Sequence, residues 1–352
     1  MAAMILPTST LEYRLTKQTG IDALKIQQSE VPPIKDNEVL VKIHAVSLQY
    51  RDLIITTGQY PLDAKDNIIP CSDASGEVLS VGSDVKDFRS GDRVCANFAL
   101  EHVYGDIESM EQRATGLGGL IDGVLIEYRT FPAYSLVKIP DYLSYEEAST
   151  LPCAALTAYN SLFGDIPLKG GDTVLVQGSG GVSVFALQIA RANGAEVIAT
   201  TSSAEKAKVL KELGATHVIN YKENPNWGEE VLKLTNGRGV NHVVEVGGAG
   251  TILQSITAVK MSGSIHLVGF LAHAQGGTTP ELLGALLGKA VRLRGVLIGP
   301  RTQFENMNRL FDAAKIHPVI DRVFKFEEYP DALQYLASQK HIGKIVVKVV
   351  QN

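Results

Sequence analysis

Two periods divide the chain. From Val39 to Ala45 apolar and polar residues alternate (VLVKIHA), the two-residue period of a strand with one buried face. Ser75–Val81 and Asp92–Ala96 repeat it, with Gly82 and Gly91 as turns, and Leu125–Phe131 and Leu136–Ile139 continue it. Strands at this spacing predict a small barrel-like β domain over residues 1–150. Residues 97–124 are polar and glycine-rich and predict a long loop of the functional or mobile kind. At Tyr145 the period changes. Glu146–Asn160 has helical spacing broken at Pro152, and beyond it strands alternate with helices. The predicted strands are Thr173–Gln177, Glu196–Thr200, His217–Tyr221, Val240–Val246, Ser264–Val268 and Val291–Leu297. Glu205–Leu213, Trp227–Leu234, Thr251–Val259 and Pro280–Leu287 read as helices between them. Strands joined by crossover helices predict an α/β domain, a doubly wound parallel sheet of six strands, over residues 151–299. Beyond Pro300 the pattern predicts one amphipathic helix near Arg301–Ala314. It then predicts a closing strand, Ile345–Val349, that returns residues 300–352 to the first domain.

The first strand of the second domain carries the candidate chemistry. Thr173–Gln177 is short, apolar and uncharged, as a buried parallel strand is. Gly178-Ser179-Gly180-Gly181-Val182-Ser183 follows, then a helical register that Gly194 ends. Strand, glycine turn, helix and strand form a dinucleotide-binding unit. Gly178 permits the tight turn, and Gly180 lets backbone approach a pyrophosphate. The small Ser183 stands where helix must pack on strand. Val184 opens the helical register, and the free N–H groups and positive dipole end at the helix start suit phosphate, so Ser179, Gly181 and Val182 join Gly178 and Gly180 as candidate cofactor-binding residues.

Composition narrows the class. The 352 residues are 45% hydrophobic and 20% charged with net charge −5, an ordinary globular composition without a basic field for nucleic acid or anionic membrane. Three cysteines, Cys71, Cys95 and Cys153, lack any CxxC spacing and fit a reducing compartment. The first residues lack the basic and apolar regions of a signal peptide, and no apolar run reaches the roughly 18 residues of a membrane span. The expectation is a cytoplasmic protein with no membrane and no nucleic-acid partner.

Longer stretches carry a family resemblance. A β domain, then LPCAALTAYNSL leading into the nucleotide domain, then a returning tail resembles the medium-chain dehydrogenase/reductase superfamily, as does the Gly91–Val94 turn. SLQYRDLIITTGQYP (Ser47–Pro61), LIDGVLIEYRTFP and HIGKIVVKV resemble its zinc-independent branch of quinone oxidoreductases, enone reductases and zinc-type alcohol dehydrogenase-like proteins. The resemblance implies a GroES-like catalytic domain, a Rossmann domain and an active site in the cleft between them. Zinc-dependent members hold catalytic zinc on two cysteines and a histidine. The matching positions here are Gln49, Ser72 and Cys153, with Asp73 as the acid that follows the histidine position. One thiol does not make a site that needs about three protein ligands. Residues 97–124 also lack the cysteines of a structural zinc lobe. No metal is expected.

An NAD-specific site places an acid about 20 residues past the glycines. Here the second strand runs into Thr200-Thr201-Ser202-Ser203-Ala204-Glu205-Lys206, with hydroxyls and an ammonium where a 2′-phosphate would sit. Ser202, Ser203 and Lys206 therefore point to NADPH, as does Tyr221 through the resemblance, while Ser202-Ser203 also suits a helix cap. The resemblance further implies that Thr157 touches nicotinamide and that Gln49 and Tyr50 line the catalytic cleft as donors to a substrate oxygen. Gly247, Gly269 and Phe270 end Rossmann strands and are expected to border the cofactor. Lys344 reads either as a ligand of the cofactor phosphates or as a surface lysine. Arg51 and Asp52 read as a structural ion pair, Cys153 as a small buried residue, and His44 and His102 as structural or solvated.

The expected activity is zinc-independent, NADPH-dependent hydride transfer to a quinone or α,β-unsaturated carbonyl compound. An NADP-dependent alcohol dehydrogenase or carbonyl reductase, or an NADPH-binding regulatory or structural protein of low turnover, are the alternatives. A homodimer is expected by analogy, through the edge strand near Val291–Leu297. Lys206→Glu is expected to raise the KM for NADPH much more than that for NADH. Steady-state kinetics with both coenzymes check this, and an equal effect on the two would sink the phosphate assignment.

Overall fold

The computed structural model describes residues 6–269 and 279–350. The chain divides into two compact units, Met1–Leu156 with Gly299–Asn352, and Thr157–Ile298. No described helix is long and apolar enough to cross a membrane.

The first unit is built on strands β1 (Ser9–Leu15), β2 (Leu24–Glu30), β3 (Glu38–Ser47), β4 (Asp73–Val81), β5 (Arg93–Ala96), β6 (Tyr128–Pro132) and β7 (Leu136–Lys138). In the second unit follow β8 (Thr173–Gln177), β9 (Glu196–Thr201), β10 (His217–Asn220), β11 (Val240–Glu245), β12 (Val259–Leu267) and β13 (Arg292–Gly295). The tail then adds β14 (Ile320–Lys325) and β15 (Lys344–Lys348) to the first unit.

Alternation along β3 does what the pattern requires: Val39, Val41 and Ile43 are buried in the core of the first unit. The described strands of its sheet run β14-β15-β3-β4-β5-β7, with β6 on the other part of β3, while β1 and β2 form an antiparallel pair. β15 pairs antiparallel with β3, Val346 opposite Ser47 and Val347 opposite Val46, and parallel with β14. The tail strand is therefore interior to the sheet, and Ile345 and Val347 are buried in the core.

Several elements lie outside the predicted pattern, β14 among them. Two strands precede Val39. A short helix, Tyr50–Thr56, follows β3. The tail holds a second helix, Tyr329–Ala337, that buries Tyr329, Ala332, Leu333 and Leu336 at helical spacing. Pro330 reads as a breaker, yet in the first turn of a helix it forfeits no hydrogen bond. The 97–124 stretch is anchored: Leu117 is fully buried, and a short helix, Met110–Ala114, starts on the hydroxyl of Ser109. Gly123 packs so closely on the Cys71 carbonyl that a Cβ would lie 2.0 Å from it.

In the second unit the six described strands are parallel in the order β10-β9-β8-β11-β12-β13. That order reverses between β8 and β11, the switch point of a doubly wound sheet. β8 is buried throughout, as its uncharged sequence dictates. The predicted helix over Thr251–Val259 ends one residue early. β12 begins at Val259, where it pairs with Val240 ahead of an irregularity in the register.

Replacing the buried Ile345, 1% exposed, by alanine leaves a cavity between β15 and the first-unit core. Ile345→Ala is expected to cost about 2–5 kcal/mol, read as a lower urea midpoint for the first unit. A change within ~0.5 kcal/mol would contradict this packing.

Candidate active site

In the second unit the glycine turn leaves the carboxyl end of β8. Gly178 has φ +76° and donates its N–H to the Thr200 carbonyl at 2.9 Å, so the turn closes against β9. A Cβ placed on Gly178 or Gly180 would meet no protein atom within 4 Å. The protein's own packing does not demand small residues there; the open side is the room a pyrophosphate needs. The helix Gly181–Ala192 starts at Gly180 with no side-chain cap on its N–H groups. Ser183 is buried and donates to the Gln177 carbonyl at 2.5 Å, which is how a small hydroxyl residue closes helix on strand. These residues fit a dinucleotide.

At the end of β9, Ser203 caps the helix Ala204–Glu212, its Oγ accepting from the Lys206 backbone N–H at 3.3 Å. Thr201 is fully buried, its hydroxyl without a hydrogen-bond partner, whereas Ser202 is partly exposed. Tyr221 follows β10, donates its N–H to the Thr201 carbonyl at 3.0 Å and is 40% exposed. Gly247 follows β11 and Gly269 follows β12, where a Cβ on Gly269 would lie 2.4 Å from the Val246 carbonyl. The parallel sheet thus gathers Gly178–Val182, Ser202, Ser203, Lys206, Tyr221, Gly247 and Gly269 along one edge. Thr157 is buried in the helix Leu156–Phe163 of this unit. Phe270 lies outside the described residues.

Gln49, Tyr50 and Lys344 belong instead to the first unit. Gln49 is the extended residue before the helix Tyr50–Thr56, and its backbone N–H donates to the Asp52 carboxylate at 2.7 Å. Asp52 therefore caps its own helix rather than pairing with Arg51. The guanidinium of Arg51 turns to the Leu117 carbonyl at 2.7 Å and the Tyr60 hydroxyl at 3.2 Å, over the Tyr60 and Phe98 rings. The expected ion pair is thus corrected: adjacent residues at a helix start point to different partners. Tyr50 is half-buried.

Asp73, the first residue of β4, is fully buried and collects donors from three places. The Gln49 side-chain amide donates to it at 2.7 Å, the Ser72 hydroxyl at 2.6 Å and the Cys153 backbone N–H at 2.8 Å. Lys344 on β15 is 4% exposed, and its ammonium donates to the Leu48 carbonyl. It is not the exposed lysine that one reading allows, because position 344 of β15 faces into the unit. Cys153 keeps slight exposure, while its thiol is desolvated by burial. His44 stacks on Tyr145 with ring centroids 4.0 Å apart, and His102 lies 2.9 Å from the Gly105 carbonyl, so both are structural.

Electrostatics follow from burial. Desolvation pushes the Asp73 carboxyl up to about 6, against the opposing pull of the Lys344 charge and the hydrogen bonds from Ser72 and Cys153. Asp52 is raised and Lys344 lowered, both chiefly by burial. Burial also pushes the Cys153 thiol up, with Asp73 adding to it. A zinc ion fits this donor set poorly. An amide, a hydroxyl and a single thiol stand at the three ligand positions, and Asp73 is already engaged. Among the described residues no group of three or more His, Cys, Asp or Glu is arranged to hold a metal.

The sequence pattern left two contributions unassigned. Asp73 was legible as an acid at a known position, but not as the acceptor that joins Gln49 to Cys153. Glu245, an acid at the end of an apolar strand before two glycines, had a signal in VVEVGG that periodicity does not weigh.

Residues 35–141 match the alcohol dehydrogenase GroES-like domain, and residues 181–313 the zinc-binding dehydrogenase family. A zinc-type alcohol dehydrogenase-like protein of Schizosaccharomyces pombe is 46% identical over 337 residues, 94% of this chain and 96% of that one. The crystal structure of a putative alcohol dehydrogenase from Sinorhizobium meliloti superposes with a TM-score of 0.90 at 39% identity, covering 98% of this chain and 100% of that one. A crotonyl-CoA carboxylase/reductase, AntE, in complex with NADP superposes with a TM-score of 0.84 at 25% identity, over 98% of this chain and 96% of that one.

Asp73 gives a pH signature. Its folded pKa of about 6 lies above the ordinary 3.8, so the fold favours its protonated form. Its contribution to stability is full below about pH 4 and is lost as pH rises through about 6. The stability of the wild type relative to Asp73→Asn is expected to fall by up to ~3 kcal/mol across that window. Urea melts of both proteins from pH 4 to 7 check it, and a pH-independent difference would contradict the assignment.

Proposed function

The chain belongs to the medium-chain dehydrogenase/reductase superfamily of oxidoreductases, and we propose that within it the protein is a zinc-independent, NADPH-dependent reductase of quinones or α,β-unsaturated carbonyl compounds. The observation that carries this reading is the state of Asp73. Its carboxylate accepts from Gln49, Ser72 and Cys153, and a buried lysine supplies the nearby positive charge. A centre already satisfied by organic donors has no call on a metal ion.

The nucleotide is assigned to the second unit. Gly178–Val182 receive the pyrophosphate at the uncapped helix start, and Ser202, Ser203, Lys206 and Tyr221 the 2′-phosphate, with no acid at the end of β9 to oppose it. Thr157, Gly247 and Gly269 are assigned to the same cofactor. NADPH, when bound, supplies the hydride. The protein orients the reactants, excludes water and offers donors to the substrate oxygen. An amide nitrogen carries two hydrogens. One of those on Gln49 is committed to Asp73, and the other is assigned to the substrate oxygen, with the Tyr50 hydroxyl as a second donor. Conjugated acceptors suit this arrangement because hydride adds at their β-carbon and two hydrogen bonds stabilise the resulting enolate.

The name of the Schizosaccharomyces pombe relative favours a second reading, an NADP-dependent alcohol dehydrogenase or carbonyl reductase polarised by Tyr50. For assembly, we propose a homodimer through β13, which is the edge of the six-stranded sheet and leaves Leu293 38% and Leu297 53% exposed on and after it.

NADPH oxidation against a quinone, an enone, an enal and a saturated aldehyde tests the reading. Turnover of the quinone or the conjugated carbonyls with the aldehyde inert is expected. Turnover of the aldehyde would favour the second reading, and saturable NADPH binding without any turnover would leave a binding protein.

A further inference from the structure

Glu245, the last residue of β11, is fully buried, and its carboxylate is the acceptor of five hydrogen bonds. One oxygen accepts from the Gly247 N–H at 2.9 Å, the Gly248 N–H at 2.8 Å and the Thr251 hydroxyl at 2.5 Å. The other accepts from the Gln177 amide at 2.7 Å and from the Ser255 hydroxyl. Gln177, the last residue of β8, is equally committed. Its second N–H donates to Ser255 at 2.8 Å, and its carbonyl oxygen accepts from the N–H groups of Val246 at 3.1 Å and Gly247 at 3.2 Å. Among the described residues no cation pairs with Glu245, so backbone dipoles, hydroxyls and one amide balance its charge.

The position of this knot matters more than its size. Gln177 directly precedes Gly178, and Glu245 directly precedes the Val246–Thr251 turn. β8 and β11 are neighbours, and between them the strand order reverses, which is where a sheet of this topology takes a dinucleotide. The knot therefore ties together the two turns that flank that point. Gly247 leaves no slack in the second turn: a Cβ there would lie 2.2 Å from the Thr251 hydroxyl. The same two strands have another side-chain tie at their opposite ends. Asn241 on β11 donates to Asp172 at 2.6 Å and accepts from the Thr173 N–H at 3.1 Å.

We propose that Glu245 is a positioning residue for the cofactor, holding the Gly178 turn and the Val246–Thr251 turn in mutual register through Gln177. The inference rests on the NADPH reading above. The tie at Asn241 holds the strands together without reaching the cofactor edge, so the two ties separate positioning from general stability.

The experiment is calorimetric titration of NADPH into the full-length wild type, Glu245→Gln, Thr251→Val and Asn241→Ala, with thermal unfolding of each. Glu245→Gln keeps the shape but turns an amide N–H toward donors, and should weaken NADPH binding at least tenfold. Thr251→Val removes one donor on the outer side of the turn and should weaken it about threefold with little change in Tm. It carries the test by itself if Glu245→Gln does not fold. Asn241→Ala should lower Tm with NADPH affinity within twofold of the wild type. Unchanged affinity in both Thr251→Val and Glu245→Gln would overturn the proposal, as would an equal loss in Asn241→Ala. A wild type that binds neither NADPH nor NADH would overturn the cofactor reading and this inference with it.

Discussion

A carboxylate taken out of water must find donors or give up its charge, and each unit of this chain holds such a group where several segments meet. In the first unit Asp73 draws in Gln49, Ser72 and the Cys153 backbone. In the second, Glu245 draws in Gln177, Ser255, Thr251 and two backbone N–H groups. In both cases local donors are joined by distant ones, Gln49 and Cys153 at Asp73 and Gln177 at Glu245, so each acid ties together segments that only the fold brings near.

The two acids are satisfied differently. Around Glu245 the donors are short, dense and mostly rigid, two of them consecutive N–H groups of one turn. That is a structural device, and its place beside the glycine turn makes it relevant to the cofactor. Asp73 has fewer donors and relies on the charge of Lys344, which donates to the Leu48 carbonyl rather than to Asp73. Desolvation is incompletely offset there, and its pKa stays up at about 6. This acid lies beside Gln49 and next in chain to Ser72.

Lys344 reaches that centre because β15 is inserted between β3 and β14. A strand from the end of the chain thus completes the sheet and delivers a buried charge to the residues that follow β3. The metal question turns on the same group of residues. A family described by zinc binding includes this chain, yet the residues at the ligand positions are an amide, a hydroxyl and a single thiol.

Much of the fold was legible in the sequence because it is written in local periods. β3 declares itself by alternation, β8 by its unbroken apolar run, and the helices Trp227–Leu234 and Arg301–Ala314 by their spacing. The glycine turn is legible for the same reason, since Gly178, at φ +76°, makes a tight turn directly after β8. The short helix at Tyr50 and the one begun by Pro330 were not, because a single turn or a proline start leaves little periodic signal. Nor could local pattern pair Asp52 with its own helix start rather than with Arg51. The sequence by itself determined the two kinds of domain and the glycine turn after β8. The tertiary structure alone decided that Lys344 faces inward, that Asp73 joins Gln49 to Cys153 and that Glu245 ties β8 to β11. These depend on which distant segments share a buried volume, and the cost of an unsatisfied polar group there has no counterpart in sequence spacing.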